Sequence, residues 1–156
     1  FRKHGGKSIE RYYREWENEV EVFTRINKLQ DRLKLVFSPK FYDSWYCNKG
    51  GYIYFYILME KYDGDLLHLA EGMAERNSII SISLGQMVSH LTIIHQNLNI
   101  CLNDIKLQNI LYKRIGRNGY QFAFSDFGIA TQYSDEDCVK IDRVNLDALI
   151  EYFNFA

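Results

Sequence analysis

The chain has 156 residues, 47% hydrophobic and 25% charged, with 19 Lys plus Arg against 20 Asp plus Glu and a net charge of −1. That is one domain with enough apolar material for a real core, which excludes a disordered tail. Near-neutral charge argues against a nucleic-acid or polybasic membrane binder. The longest apolar run, Tyr52 to Met59, is far short of the roughly 20 residues that span a bilayer.

Residues 8–28 read as a helix, with Ser8 as N-cap, Glu10 in the first turn and Gly5-Gly6 as punctuation before it. Ile9, Tyr12, Trp16, Val20, Phe23 and Ile26 form its apolar stripe, and Glu19 lies on that stripe. A carboxylate on a buried face needs a cation, or else must snorkel to the helix edge. FYDSWYC (41–47) and YIYFYILM (52–59) read as two strands of a hairpin with a four-residue loop, Asn48 to Gly51. A polar connector (60–65) and a short helix (65–73) follow. A long helix at roughly 80–97 comes next, with Ile80, Leu84, Met87, Leu91 and Ile94 as its core face. His95 is expected to complement the negative C-terminal end of this helix.

NICLNDIKLQNILY then places Asp104, Lys106 and Asn109 in one short polar stretch. Arg117-Asn118-Gly119 is a turn, YQFAFS leads into Asp126-Phe127-Gly128, and LDALIEYF reads as a last helix. The order of elements predicts an α+β fold, with a small strand-rich part and a larger helical part. Cys47, Cys101 and Cys138 are an odd count without CxxC spacing. Neither a disulfide framework nor a structural zinc site is expected, and a reducing, cytoplasmic setting is the default. The chain does not begin with Met and stops inside an apolar stretch, so it reads as a piece cut at both ends.

Asp104 and Asn109, five apart in a loop, with Asp126 before Phe-Gly, resemble the catalytic loop and metal-binding turn of the protein kinase superfamily. Further segments resemble that family in the same order. EVEVFTRI is similar to the helix that carries the ion-pair glutamate, with Glu19 in that place. SPKFYDSWY resembles the fourth strand, YIYFYILMEKYDGDL the fifth strand and hinge, and IIHQNLNICLNDIKLQNILY the helix, catalytic loop and next strand. The resemblance covers about residues 8–130. It implies a two-lobed fold, with a partial N-lobe at 1–59, a hinge at 60–64 and a partial C-lobe at 65–156.

It also implies transfer of the ATP γ-phosphate to a protein Ser or Thr hydroxyl, with Mg²⁺ as cofactor and neither nucleic acid nor membrane as partner. Phosphoryl transfer has a loose transition state, so such a protein mainly positions groups and neutralises charge. On this resemblance Asp104 takes the acceptor proton and Lys106 touches the γ-phosphate. Asn109 and Asp126 hold magnesium through hard oxygen ligands. Glu60 and Tyr62 lie on the adenine-facing hinge with Met59 beside the pocket, and Glu19 pairs with a lysine. Lys3 is a candidate for that lysine, and one upstream of Phe1 is another. GGKS (5–8) is not a P-loop, because the motif needs glycine where Phe1 stands.

The departures from the family matter too. Leu102-Asn103 replaces the usual His-Arg, so no arginine pairs with a phosphorylated activation loop. There is no Ala-Pro-Glu, and the only proline is Pro39. Asp142 and Asp147 both qualify as the buried acid of the following helix. The reduced activation segment and high Tyr and Asn content are similar to divergent members, those of large DNA viruses among them. A small-molecule kinase of the same superfamily and a pseudokinase scaffold are the alternatives.

Overall fold

The computed structural model describes residues 8–72, 77–133 and 135–155. It is an α+β protein. Helix α1 (Ile9–Leu33) begins where Ser8 caps it, the Ser8 hydroxyl accepting from the Arg11 amide at 3.3 Å. It runs five residues past the expected end because no glycine or proline stops it. Lys34, in the left-handed region at φ 56°, ends it instead. Gln30 then caps the exit, its Oε1 accepting from the amides of Phe37 (2.8 Å) and Ser38 (3.0 Å).

Strands β1 (Phe41–Lys49) and β2 (Tyr52–Met59) form an antiparallel hairpin. The loop is two residues rather than four. Gly50 and Gly51 take φ 61° and 79°, which suits the tight turn that matches strand twist, so Asn48 and Lys49 remain in the ladder. Tyr46 and Phe55 on one face meet Tyr13 and Trp16 of α1, with ring centroids 5.6–6.1 Å apart. Among the described residues, the first turns of α1 meet this two-stranded sheet. Ile9 is exposed, and the buried face of α1 is Val22, Phe23, Ile26 and Leu29 rather than the whole predicted stripe.

Next come β3 (Gly64–Asp65), the short α2 (Leu66–Glu71), α3 (Asn77–Leu98), a 3₁₀ turn (Leu107–Asn109), β4 (Ile110–Ile115), β5 (Gly119–Phe124) and α4 (Glu136–Phe155). Strands β3, β4 and β5 form a second antiparallel sheet in that order. The expected face of α3 (Ile80, Leu84, Met87, Leu91, Ile94) is buried, and α3 packs on α4 and β5. By length and composition α3 could cross a membrane, with a mean hydropathy of 1.2 over Ser78–Leu98. Its packed face gives it the role of a core helix here. Phe124, Phe127, Leu146 and Phe153 complete the core beneath the loop that follows α3.

The structure corrects the expectation about cysteines. Cys101 and Cys138, 37 residues apart, form a disulfide, and Cys47 is the free thiol. Spacing along the chain carried no sign of it, because tertiary topology alone brings the first turn of α4 back over residue 101.

Candidate functional site

The segment between α3 and β4 is short of regular structure, so side chains and backbone bonds hold its shape. Asp142 of α4 is fully buried, and its carboxylate accepts from the amides of Leu102 (2.7 Å) and Asn103 (2.8 Å) and from Nε2 of His95 (2.8 Å). Of the two acids left open by the sequence, Asp142 is therefore the buried one; Asp147 is half-exposed and paired with Arg143. His95 serves Asp142 rather than the end of its own helix, a correction to the sequence reading. Asn103 sits at φ 63°, a conformation asparagine tolerates better than most residues. Its Nδ2 donates to the Ile129 carbonyl (3.2 Å) and to Oγ1 of Thr131 (3.3 Å).

Asp104 and Asn109 are joined directly, because Nδ2 of Asn109 donates to the Asp104 carbonyl at 2.9 Å. The Oδ1 of Asn109, on the opposite arm of the amide, is thereby turned away from that carbonyl. Lys106 Nζ lies 3.5 Å from Oδ1 of Asp104 and is half exposed. The Asn109 carbonyl accepts from the Ser125 amide (2.9 Å) and hydroxyl (3.1 Å). The residue before Asp126 is thus tied to the residue that ends the loop. Asp126 is exposed and left-handed at φ 63°. A strained non-glycine residue at a polar turn is a feature of functional sites. The structure therefore joins Asp104, Lys106 and Asn109, and ties the residue before Asp126 to Asn109. Asn109 and Asp126 supply hard oxygen donors.

Helix α1 supports the turn after Asp126. Phe127 is fully buried, with its ring 5.3 Å from that of Phe23, four residues after Glu19. Phe23 in turn meets Phe41 at 5.5 Å. Asn18, beside Glu19, was missed by sequence reading. Its Nδ2 donates to Ala130 (2.7 Å) and, more loosely, to the carbonyls of Gly128 (3.2 Å) and Phe127 (3.4 Å), while its Oδ1 accepts from Gln132 (3.0 Å). Glu19 is half-buried on the turn between Trp16 and Phe23, and Lys3 lies outside the described residues. Asn18→Ala should destabilise the fold by about 1–2 kcal/mol, the cost of leaving part-buried carbonyls unpaired. Asn18→Asp should cost more, because it aims an acceptor at acceptors. Urea unfolding of both variants checks the order.

The connector after β2 is fastened to its neighbours. The Glu60 amide donates to the Lys40 carbonyl (2.8 Å), and the Glu60 carboxylate takes the Lys40 amide (3.1 Å) and Lys113 Nζ (2.6 Å). Lys113 also sits 4.7 Å over the Tyr62 ring. The Glu60 and Tyr62 side chains are thus spent on β4, so an adenine edge would find only backbone here, with half-exposed Met59 at the end of β2. Burial works against the Glu60 charge, but the Lys113 bond and the Lys40 amide outweigh it and hold the carboxyl below the usual range. Burial, and then the Glu60 charge, push the Tyr62 phenol well up.

A group with a depressed folded pKa stabilises the protein above its unfolded pKa and loses that contribution as pH falls through the folded value. Glu60→Gln should therefore cost about 1 kcal/mol at neutral pH. The difference from the parent should shrink as pH drops below the ordinary glutamate value of 4.5. Chemical denaturation across acid pH tests this.

Two other features lie apart from these residues or are already committed. His95, Cys101 and Asp142 bring ligand-type atoms within 4.8 Å of one another, but the Cys101 sulfur is bonded to Cys138 and both Asp142 oxygens already accept hydrogen bonds. A concavity of about 270 Å³ opens between the start of α1 and the hairpin, lined by Ile9, Tyr13, Tyr46 and Phe55. Its charged members, Glu10 and Arg14, pair with each other at 3.9 Å, and none of the candidate residues lines it. The chemistry of the donor set, rather than the depth of a hollow, marks the candidate site. The chain matches no protein-family model and no curated protein.

Proposed function

We propose that the chain is the catalytic region of a kinase-like phosphotransferase that moves the ATP γ-phosphate to a Ser or Thr hydroxyl of a protein. One observation carries the reading. The Asn109 amide clasps the Asp104 carbonyl, Lys106 lies beside the Asp104 carboxylate, and Ser125, next to Asp126, clasps Asn109, which supports a base, a lysine and two oxygen donors acting together. Two tethers support it, Asp142 beneath the Leu102 and Asn103 amides and Asn18 on the turn after Asp126. On this reading residues 1–59 are a partial N-lobe, 60–64 a hinge and 65–156 a partial C-lobe.

In the mechanism, Asp104 holds the acceptor hydroxyl and takes its proton as the oxygen attacks the γ-phosphorus, whose bond to the bridging oxygen breaks to release ADP. Lys106, half exposed and 3.5 Å from Asp104, is free to swing to the γ-phosphate as a point charge. Oδ1 of Asn109 and the Asp126 carboxylate fit a hard divalent cation, and they would hold the magnesium that neutralises the phosphate oxygens when bound. The backbone of 60–62 receives the adenine edge, beside Met59. Asn103 already fixes Ile129 and Thr131 without a phosphate, so transfer needs no phosphorylation of the segment between Gly128 and Asp142.

The test is to offer the protein magnesium and γ-labelled ATP with a Ser/Thr peptide library, and in parallel with amino alcohols and aminoglycosides. Label on Ser or Thr supports the reading. Label mainly on a small molecule favours the small-molecule kinase. Nucleotide binding without any transfer favours the scaffold.

A further inference from the structure

The disulfide lies next to the proposed machinery. Cys101 is fully buried and immediately precedes Leu102-Asn103-Asp104, and Cys138 is half-buried in the first turn of α4. The backbone of Cys101 also bridges Thr131 in both directions, amide to carbonyl at 3.1 Å and 2.9 Å. One turn further along α4, Asp142 takes the next two amides of the loop. Between residues 101 and 138, the covalent link encloses Asp104, Asn109 and Asp126 in one loop of chain. The segment after Asp126 is thus gripped by α1 through Asn18, by the loop through Asn103 and Cys101, and at its far end by a sulfur–sulfur bond. No arginine is present at position 103 to recruit a phosphate, so the covalent tether stands where a charge pair would.

We infer that Cys101–Cys138 is a thiol–disulfide exchange site whose oxidised form fixes the loop carrying Asp104 and whose reduction by a dithiol slows transfer. The inference rests on the phosphotransfer reading for its effect on rate, but not for the exchange itself. Access decides the direction of attack. A thiolate of the dithiol attacks the more accessible Cys138 sulfur, the bond between the two sulfurs breaks, and Cys101 leaves as a thiolate that takes a proton. The second thiol of the dithiol then closes on its partner sulfur and releases Cys138. Two electrons pass from the dithiol to the protein disulfide, and the dithiol becomes a cyclic disulfide. The α4 turn loses its covalent anchor, while Asp142 still holds Leu102 and Asn103. The result is a loosened site rather than an unfolded protein.

The experiment compares the whole chain oxidised, reduced with dithiothreitol, and reoxidised with glutathione disulfide. Alkylation and mass measurement should count one free thiol in the oxidised protein, Cys47, and all three cysteines in the reduced one. Hydrogen exchange at the Cys101 and Thr131 amides should quicken on reduction. Transfer should fall by about 5–150-fold, the span of ordinary coupling free energies, and should recover on reoxidation. Cys47→Ser should behave as the parent, and Cys138→Ser should match the reduced parent in either buffer. Three free thiols under oxidising conditions, or equal exchange and equal transfer in both states, overturns the inference. Loss of the cooperative melting transition on reduction also overturns it, since the bond would then be only structural. If exchange responds but neither state transfers phosphate, the exchange site stands and the phosphotransfer reading falls.

Discussion

Asp126→Asn is expected to weaken magnesium-dependent ATP binding along with transfer, whereas Asp104→Asn leaves binding nearly intact and lowers transfer by about 10²–10⁴-fold. The two aspartates differ in where they sit. Asp126 is exposed at a left-handed turn, and its neighbour Ser125 is bonded to the carbonyl of Asn109. On the phosphotransfer reading the Asp126 carboxylate carries the negative charge that meets the cation, and Asn keeps an oxygen there but loses that charge. Lys106 lies 3.5 Å from the Asp104 carboxylate, and the backbone carbonyl of Asp104, not its side chain, fixes Asn109. Changing the Asp104 carboxylate to an amide therefore leaves the loop geometry unaltered while removing the base of the proposed mechanism. Calorimetric titration with Mg-ATP and a transfer assay on each variant separate the roles. Equal loss of nucleotide binding in both variants would refute the division.

The sequence offered Asp104, Lys106, Asn109 and Asp126 as candidates because they lie in short runs with the spacing that the proposed chemistry needs. The core face of α3 was legible because five apolar residues recur at helical spacing over a long helix. What escaped notice depends on tertiary closure. Asn18 is a polar residue in the middle of a helix, and nothing local says that three carbonyls from the far end of the chain will arrive at its amide. Cys101 and Cys138 carry no motif and meet only because α4 packs on α3. One missed feature did have a local sign. Asp135 followed by Glu136-Asp137 is a helix start, and the Asp135 carboxylate accepts from the Cys138 amide at 2.7 Å. Reading it would have begun α4 at Glu136 and placed Asp142 nearly two turns inside the helix, facing the core with Leu146.

Asp142→Ala should be among the most damaging single substitutions in the described structure. The carboxylate is fully buried and accepts three hydrogen bonds from Leu102, Asn103 and His95, all at 2.7–2.8 Å. Alanine leaves two backbone amides and an imidazole nitrogen without an acceptor, at about 1–3 kcal/mol for each unsatisfied buried group. Partial relaxation brings the expected total to about 3–5 kcal/mol, a large share of the 5–15 kcal/mol by which ordinary domains are stable. Asp142→Asn keeps the shape and one acceptor oxygen but turns an NH₂ towards a donor, so it should fall between alanine and the parent. Asp147→Ala is the control. Asp147 is half-exposed and pairs with Arg143 one turn away at 2.9 Å, an arrangement worth about 0.5 kcal/mol or less. Urea denaturation gives the stabilities, and hydrogen exchange at the Leu102 and Asn103 amides locates the damage. If Asp142→Ala stays within about 1 kcal/mol of the parent, below the cost of a single orphaned buried donor, then the carboxylate is not what holds the loop beneath Asp104.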